Sequence, residues 1–157
     1  MIEKEKLQLI PKVENYIQYE LEMLLKLPRT EKYSIGTEYK ESMYNTLEKV
    51  MFVNKINTIQ KLTEKAENKR KTILGINKIQ NTNNLNKNII GIYNTDNLEI
   101  ETLINLNRID AMLNTQRIYL RIMYNNKWID EKKFNVSMDK IYEIGKILGG
   151  LMKYYAK

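Results

Sequence analysis

Four stretches of this chain place apolar side chains three and four residues apart, and that spacing restricts the fold more than any other feature. In the first stretch Val13, Ile17, Leu21, Leu24 and Leu25 follow Pro11, a residue suited to the opening turn of a helix. Pro28 ends this helix, because its ring restricts Leu27 and it has no amide to donate; Arg29 to Tyr33 then make a short polar connection. Ser34, with Thr37 as competitor, is the expected N-cap of a second helix. Its stripe is Ile35, Tyr39, Met43, Leu47 and Val50, with Lys40, Glu41, Glu48 and Lys49 largely off it. In the third stretch Leu106, Ile109, Leu113, Leu120 and Met123 share one face, with Gln116 the single polar interruption, which predicts a helix of about 25 residues. Asn125, Asn126 and Lys127 end it, Trp128 and Ile129 tuck under the bundle, and Asp130 N-caps the fourth helix. There Phe134, Met138, Ile141, Ile144, Leu148, Leu151 and Tyr155 repeat at three and four.

The expected fold is all-α: one up-down four-helix bundle domain over residues 1 to 157, with a long insert between the second and third helices at about 56 to 97. A chain of this length can bury a core without disulfide or metal staples. Beyond Val53 the apolar pattern loosens through Ile56, Ile59, Thr63 and Ala66, so the second helix extends and frays toward the charged run Lys69, Arg70 and Lys71. From residue 77 to 97, eight of 21 residues are asparagine, a poor helix former whose amide competes with the backbone. This segment reads as a loop, with a short hairpin at Ile89 to Tyr93.

Charge is uneven along the chain. Residues 1 to 55 carry nine positive and nine negative groups, residues 56 to 97 seven and three, and residues 98 to 157 ten and seven, which puts the whole net +7 in the last two thirds. Such an imbalance suits a polyanion such as RNA or DNA, and equally serves solubility alone. Cysteine is absent, which agrees with a reducing compartment, and the opening residues alternate acid and base with no apolar signal core. No apolar run approaches the roughly 20 residues needed to cross a bilayer. A cytoplasmic protein with no membrane partner is the expectation.

With no histidine and no cysteine, Ser-His-Asp triads, Cys-His pairs and thiolate or imidazole zinc sites are excluded. Carboxylate di-iron bundles need Glu-x-x-His pairs, and no glycine-rich phosphate loop is present. The chain is therefore expected to be non-catalytic, without metal or cofactor. Two patterns stand above this background. Asp110, Asn114, Arg117 and Arg121 form a polar stripe bordering the apolar face of the third helix. Its arginines suit pairing with acids such as Glu143 across the bundle, a neighbouring subunit, or an RNA backbone. On the fourth helix Gly145, Gly149 and Gly150 each cost roughly 1 kcal/mol relative to alanine, which suggests a close approach by another helix at Gly145 and Gly149. Lys146, Gly150, Lys153 and Lys157 align on its far side beside Tyr154 and Tyr155, a short basic strip able to meet phosphates and stack bases, or simply to be solvated. If polyanion binding occurs, its leading candidates are Arg117, Arg121, Lys146 and Lys153 on the helices and Lys69, Arg70 and Lys71 in the insert.

Three segments resemble the accessory variability determinant of diversity-generating retroelements, within the wider group of four-helix bundle proteins. Leu27 to Gly36 (LPRTEKYSIG) is similar to the family's entry into its second helix, and Ile109-Asp110 through Thr115 to Arg121 (TQRIYLR) to its arginine-bearing helix. Tyr142 to Lys153 (YEIGKILGGLMK) is similar to its ending and is the most specific of the three, with Leu151 where tryptophan is usual; Lys32 likewise replaces an arginine. The insert has no counterpart in most of the family. The resemblance implies a basic homopentameric ring, with Asp110, Asn114, Gly145 and Gly149 as interface candidates. It further implies binding of a reverse transcriptase and its template RNA or cDNA, without catalytic residues. Alternatives are a helical adaptor of a phage or mobile element that binds only protein, and a bundle like those encoded in 23S rRNA intervening sequences, whose small-residue central motif is missing here.

Overall fold

The computed structural model describes the backbone of residues 2 to 73 and 95 to 156; within these, the side chains of residues 2 to 7 and of several positions from 57 onward are outside the description. Five helices account for it: α1 (Ile2–Leu24), the single turn α2 (Arg29–Lys32), α3 (Ile35–Ile73), α4 (Thr95–Asn125) and α5 (Glu131–Tyr155). No strand occurs among the described residues.

The apolar periodicity is what packs. Val13, Tyr39, Met43, Leu106, Ile109, Leu113, Leu120, Met123, Ile141, Ile144 and Leu148 all lose their whole accessible surface to one core. The four long helices neighbour one another in the cyclic order α1, α3, α4, α5. Cross-helix pairs give their directions. Lys12 meets Glu143 and Asn15 meets Lys140, so α1 and α5 are antiparallel. Tyr124 stacks on Phe134 while Arg117 lies at Gly145, so α4 and α5 are antiparallel too. With α1 and α3 joined through the tight Pro28 corner, and Tyr39 and Thr46 of α3 beside Tyr119 and Gln116 of α4, neighbouring long helices alternate in direction.

The connections are built by identifiable chemistry. At the Pro28 corner, Thr37 and Glu38 amides donate to the Ser34 carbonyl, so Ser34 does open α3; its hydroxyl, however, turns back to Glu31 Oε2 at 3.1 Å instead of capping the helix amides. At the α4 end Lys127 adopts φ 60, the Lys127 amide reaches the Tyr124 carbonyl and the Trp128 amide reaches the Met123 carbonyl. This is a Schellman closure with lysine in the position glycine usually takes. Ile129 is buried beneath it, and Asp130 Oδ1 accepts from the Lys133 amide at 2.8 Å as the N-cap of α5.

Three boundaries differ from the sequence expectation. Helix α1 begins at Ile2, not Pro11, and carries Pro11 inside it with its ring exposed, because Leu9 and Ile10 ahead of it already pack on the core. Leu25, counted on the first apolar stripe, is 72 % exposed; Tyr16, Glu20 and Met23 occupy the face instead. Helix α3 continues to Ile73, with Val53 and Ile56 buried, so residues 56 to 73 of the expected insert are helical. The loop and hairpin expected at 77 to 97 lie outside the described residues up to 94, and α4 starts at Thr95.

Candidate binding surfaces and a buried polar chain

Three members of the polar stripe of α4 hydrogen-bond to one another along their own helix. Asn114 Nδ2 donates to Asp110 Oδ2 at 3.2 Å, and Arg117 Nη1 donates to Asn114 Oδ1. The expected pairing with Glu143 does not form, because Glu143 Oε2 is taken by Lys12 Nζ at 2.5 Å on the α1 side of α5. Arg117 is half-buried and lies over α5: a Cβ on Gly145 would stand 3.3 Å from Arg117 Nη2. Glycine at 145 therefore makes room for the guanidinium within one protomer. Among the described residues nothing lies within 4 Å of a Cβ placed on Gly149, so that position meets no neighbouring helix of the bundle there.

Arg121, Lys146, Lys153 and Lys69 are exposed. Lys146 and Lys153, seven residues apart, share the outward face of α5, whereas Arg121 borders α4 on its α5 side. Lys69 stands apart from them. In helical register Lys153 lies level with about residue 53 of α3, so Lys69 is roughly 25 Å further along that helix at 1.5 Å per residue. Lys69 is thus remote from Lys146 and Lys153. Arg70 and Lys71 are on α3, but their side chains are outside the description.

Sequence reasoning missed a third surface. The back of α4, turned away from the core, exposes Ile100 (58 %), Ile104 (46 %), Ile118 (53 %) and Ile122 (38 %), with Ala111 between them. Met51 and Phe52 of α3 continue this apolar surface across a groove edged by both signs of charge, Lys49, Lys55 and Arg108 with Glu48 and Glu101. The signal was available: positions 104, 111 and 118 repeat every seven residues on the side opposite Leu106, Leu113 and Leu120.

Inside the bundle, polar groups run in a continuous chain. Gln116 Nε2 donates to Thr46 Oγ1 at 2.9 Å and to Ser42 Oγ at 3.1 Å. Gln116 Oε1 lies 3.0 Å from the Tyr16 hydroxyl, which lies 2.7 Å from the Tyr39 hydroxyl, itself 3.0 Å from Glu20 Oε2. Tyr16, Glu20, Tyr39 and Gln116 have no accessible surface. Burial pushes the Glu20 carboxyl up to about 7 despite opposing contributions from Ser137, Tyr39 and the Lys140 charge, and burial pushes both tyrosines well above their ordinary range. Among the described residues Glu20 Oε1 has no hydrogen-bond partner; the Ser137 hydroxyl of α5 is beside the carboxyl but engages Met23 Sδ at 3.9 Å.

Among the described residues no three acidic side chains converge to hold a metal ion, and no helix is long and apolar enough to cross a membrane. The chain matches no protein-family model, no curated protein and no solved structure.

Proposed function

We propose that this chain acts by binding, as a non-catalytic accessory protein of a diversity-generating retroelement. In this reading it holds the reverse transcriptase and its template RNA or cDNA as a basic homo-oligomeric ring that supports mutagenic copying. The observation that carries the reading is the division of the outer surface. One helix back is a row of exposed isoleucines suited to protein contact, while exposed Lys146, Lys153 and Arg121 on the neighbouring side suit phosphates. The three resembling segments all lie within the described residues: the Pro28 corner, the middle of α4 and the second half of α5. Light scattering on a sizing column tests the ring, with a mass near five protomers expected; a monomer at micromolar concentration would remove both the ring and the partner reading built on it.

A second reading, a helical adaptor that binds only protein, is favoured by one specific observation. Arg117, the leading arginine for phosphate contact, is already committed to Asn114 and seated over Gly145. Co-purification with a reverse transcriptase that survives nuclease treatment, without any affinity for RNA or DNA, would select it.

A further inference from the structure

The buried polar chain has a hydrogen count that ties its geometry to a protonation state. Three oxygen-to-oxygen contacts link Glu20 Oε2, Tyr39, Tyr16 and Gln116 Oε1, at 3.0, 2.7 and 3.0 Å, all within hydrogen-bonding distance. Each contact needs one hydrogen between its two oxygens. Gln116 cannot supply one, because both Nε2 hydrogens go to Ser42 and Thr46, and its Oε1 only accepts. The Thr46 hydroxyl donates to the Ser42 carbonyl at 2.9 Å, so toward Gln116 it acts as acceptor, which fixes this orientation of the amide. With Glu20 ionised, two phenolic hydrogens must serve three contacts, and one pair of oxygens is left lone pair against lone pair. A proton on Glu20 fills all three.

We infer that Glu20, Tyr39, Tyr16 and Gln116 form a reversible proton chain, in which Glu20 is a neutral acid in the arrangement seen and its ionisation turns the Gln116 amide over. In the neutral state Glu20 donates to Tyr39, Tyr39 to Tyr16, and Tyr16 to Gln116 Oε1. When the Glu20 proton leaves to water, the same contacts are filled from the other end: Gln116 Nε2 donates to Tyr16, Tyr16 to Tyr39, and Tyr39 to the Glu20 carboxylate. Gln116 Oε1 then accepts from the Ser42 and Thr46 hydroxyls, and Thr46 gives up its bond to the Ser42 carbonyl. The three contacts from Gln116 to Glu20 again hold one hydrogen each, at the cost of the Thr46 bond to the Ser42 carbonyl and of an acceptor for the second Gln116 Nε2 hydrogen. Because α1 supplies Glu20 and Tyr16, α3 supplies Tyr39, Ser42 and Thr46, and α4 supplies Gln116, one proton is registered across three helices.

The surroundings allow both states. From α5, Ser137 faces the carboxyl and Lys140 contributes a positive charge, though its ammonium is engaged by Asn15 Oδ1 and lies 5.3 Å from the Tyr19 ring. From α4 the Arg117 charge reaches Tyr16, and near the α5 start Asp130 and Lys133 act on Tyr19, beside Glu20 on α1. Among the described residues no cation forms an ion pair with Glu20, so burial can hold it neutral.

Carboxyl-carbon and glutamine side-chain amide NMR on the full chain, titrated across the neutral range, tests this. The Glu20 carboxyl is expected to titrate near neutrality, well above the ordinary carboxylate range, with the Gln116 amide pair shifting at the same midpoint. Glu20 titrating with the exposed acids would overturn the inference, and so would a Gln116 amide that stays still while Glu20 titrates. Tyr39→Phe separates a chain from simple burial: Glu20 should still titrate high, but Gln116 should stop responding. A Gln116 response that persists in Tyr39→Phe would equally overturn the chain. Glu20→Gln, which keeps a neutral donor of the same shape, should hold the Gln116 signals fixed across the whole range; movement there contradicts the proposal.

Discussion

Replacing Glu20 with glutamine should make the fold more stable at high pH and change how its stability follows pH. The folded carboxyl binds its proton more tightly than the unfolded one, because burial raises it from an ordinary 4.5 to about 7. The unfolded state therefore holds fewer protons across that window, and stability falls as pH rises through it. The stabilisation is fully present below the ordinary value and is lost by the time pH has passed about 7. At about 1.4 kcal/mol for each tenfold change in proton affinity, the loss is about 3 kcal/mol. For a chain of this size that corresponds to roughly 6 to 12 °C in melting temperature. Glutamine needs no proton and can donate to Tyr39 at every pH, so the variant should not show this loss. The assay is urea unfolding of both proteins from acid to mildly alkaline pH, read as the difference between them. Asp130 and Glu143, held below the usual carboxylate range by hydrogen bonds from Lys133 and Lys12, weaken both proteins equally in acid and cancel in that difference. The difference should grow between about pH 4.5 and 7 and then level off. Two stability curves that stay parallel across the range would refute the reasoning.

Other substitutions probe the core and the surface separately. Leu113→Ala removes a fully buried side chain and should cost about 2 to 5 kcal/mol in unfolding free energy, measured by denaturant titration. Gly149→Ala meets nothing within 4 Å and should gain up to about 1 kcal/mol through helix propensity in the dilute protomer; a loss of stability or assembly there would reveal a neighbouring chain against α5. Ile104→Ser with Ile118→Ser, both exposed, should leave the melt of the protomer within about 0.5 kcal/mol while weakening association with any protein partner, as light scattering and pull-down would show.

The bundle was legible because its signal is summed over whole helices. The stripes at Ile35 to Val50, Leu106 to Met123 and Phe134 to Tyr155 each repeat over three or more turns, and the Asp130 cap follows from its place before the last stripe. The first helix is less legible, because Tyr16 and Glu20 are polar-tipped residues whose burial depends on partners far away in sequence. In the sequence Tyr39 is simply a member of an apolar stripe. Only Gln116, alone on an otherwise apolar face, announced a buried polar partner, and a search for hydroxyls on the facing helices would have led to Tyr16, Ser42 and Thr46. The arginine stripe was legible as a stripe but not in its bonding: Asn114 sits between Asp110 and Arg117 on the same helix and hydrogen-bonds to both. Glycine at 145 signalled a close approach, and the approaching group is a guanidinium rather than a helix backbone.

The binding account is tested most directly by the salt dependence of RNA affinity, measured by fluorescence anisotropy with a labelled single strand. If the chain contacts Z phosphates, log affinity should fall linearly with log salt at a slope of about −0.7Z. A variant with Arg121, Lys146 and Lys153 changed to glutamine should bind more weakly, with a slope reduced by about 0.7 for each contact removed. Absence of binding at low salt, affinity indifferent to salt, or an unchanged slope in the triple variant would contradict the account.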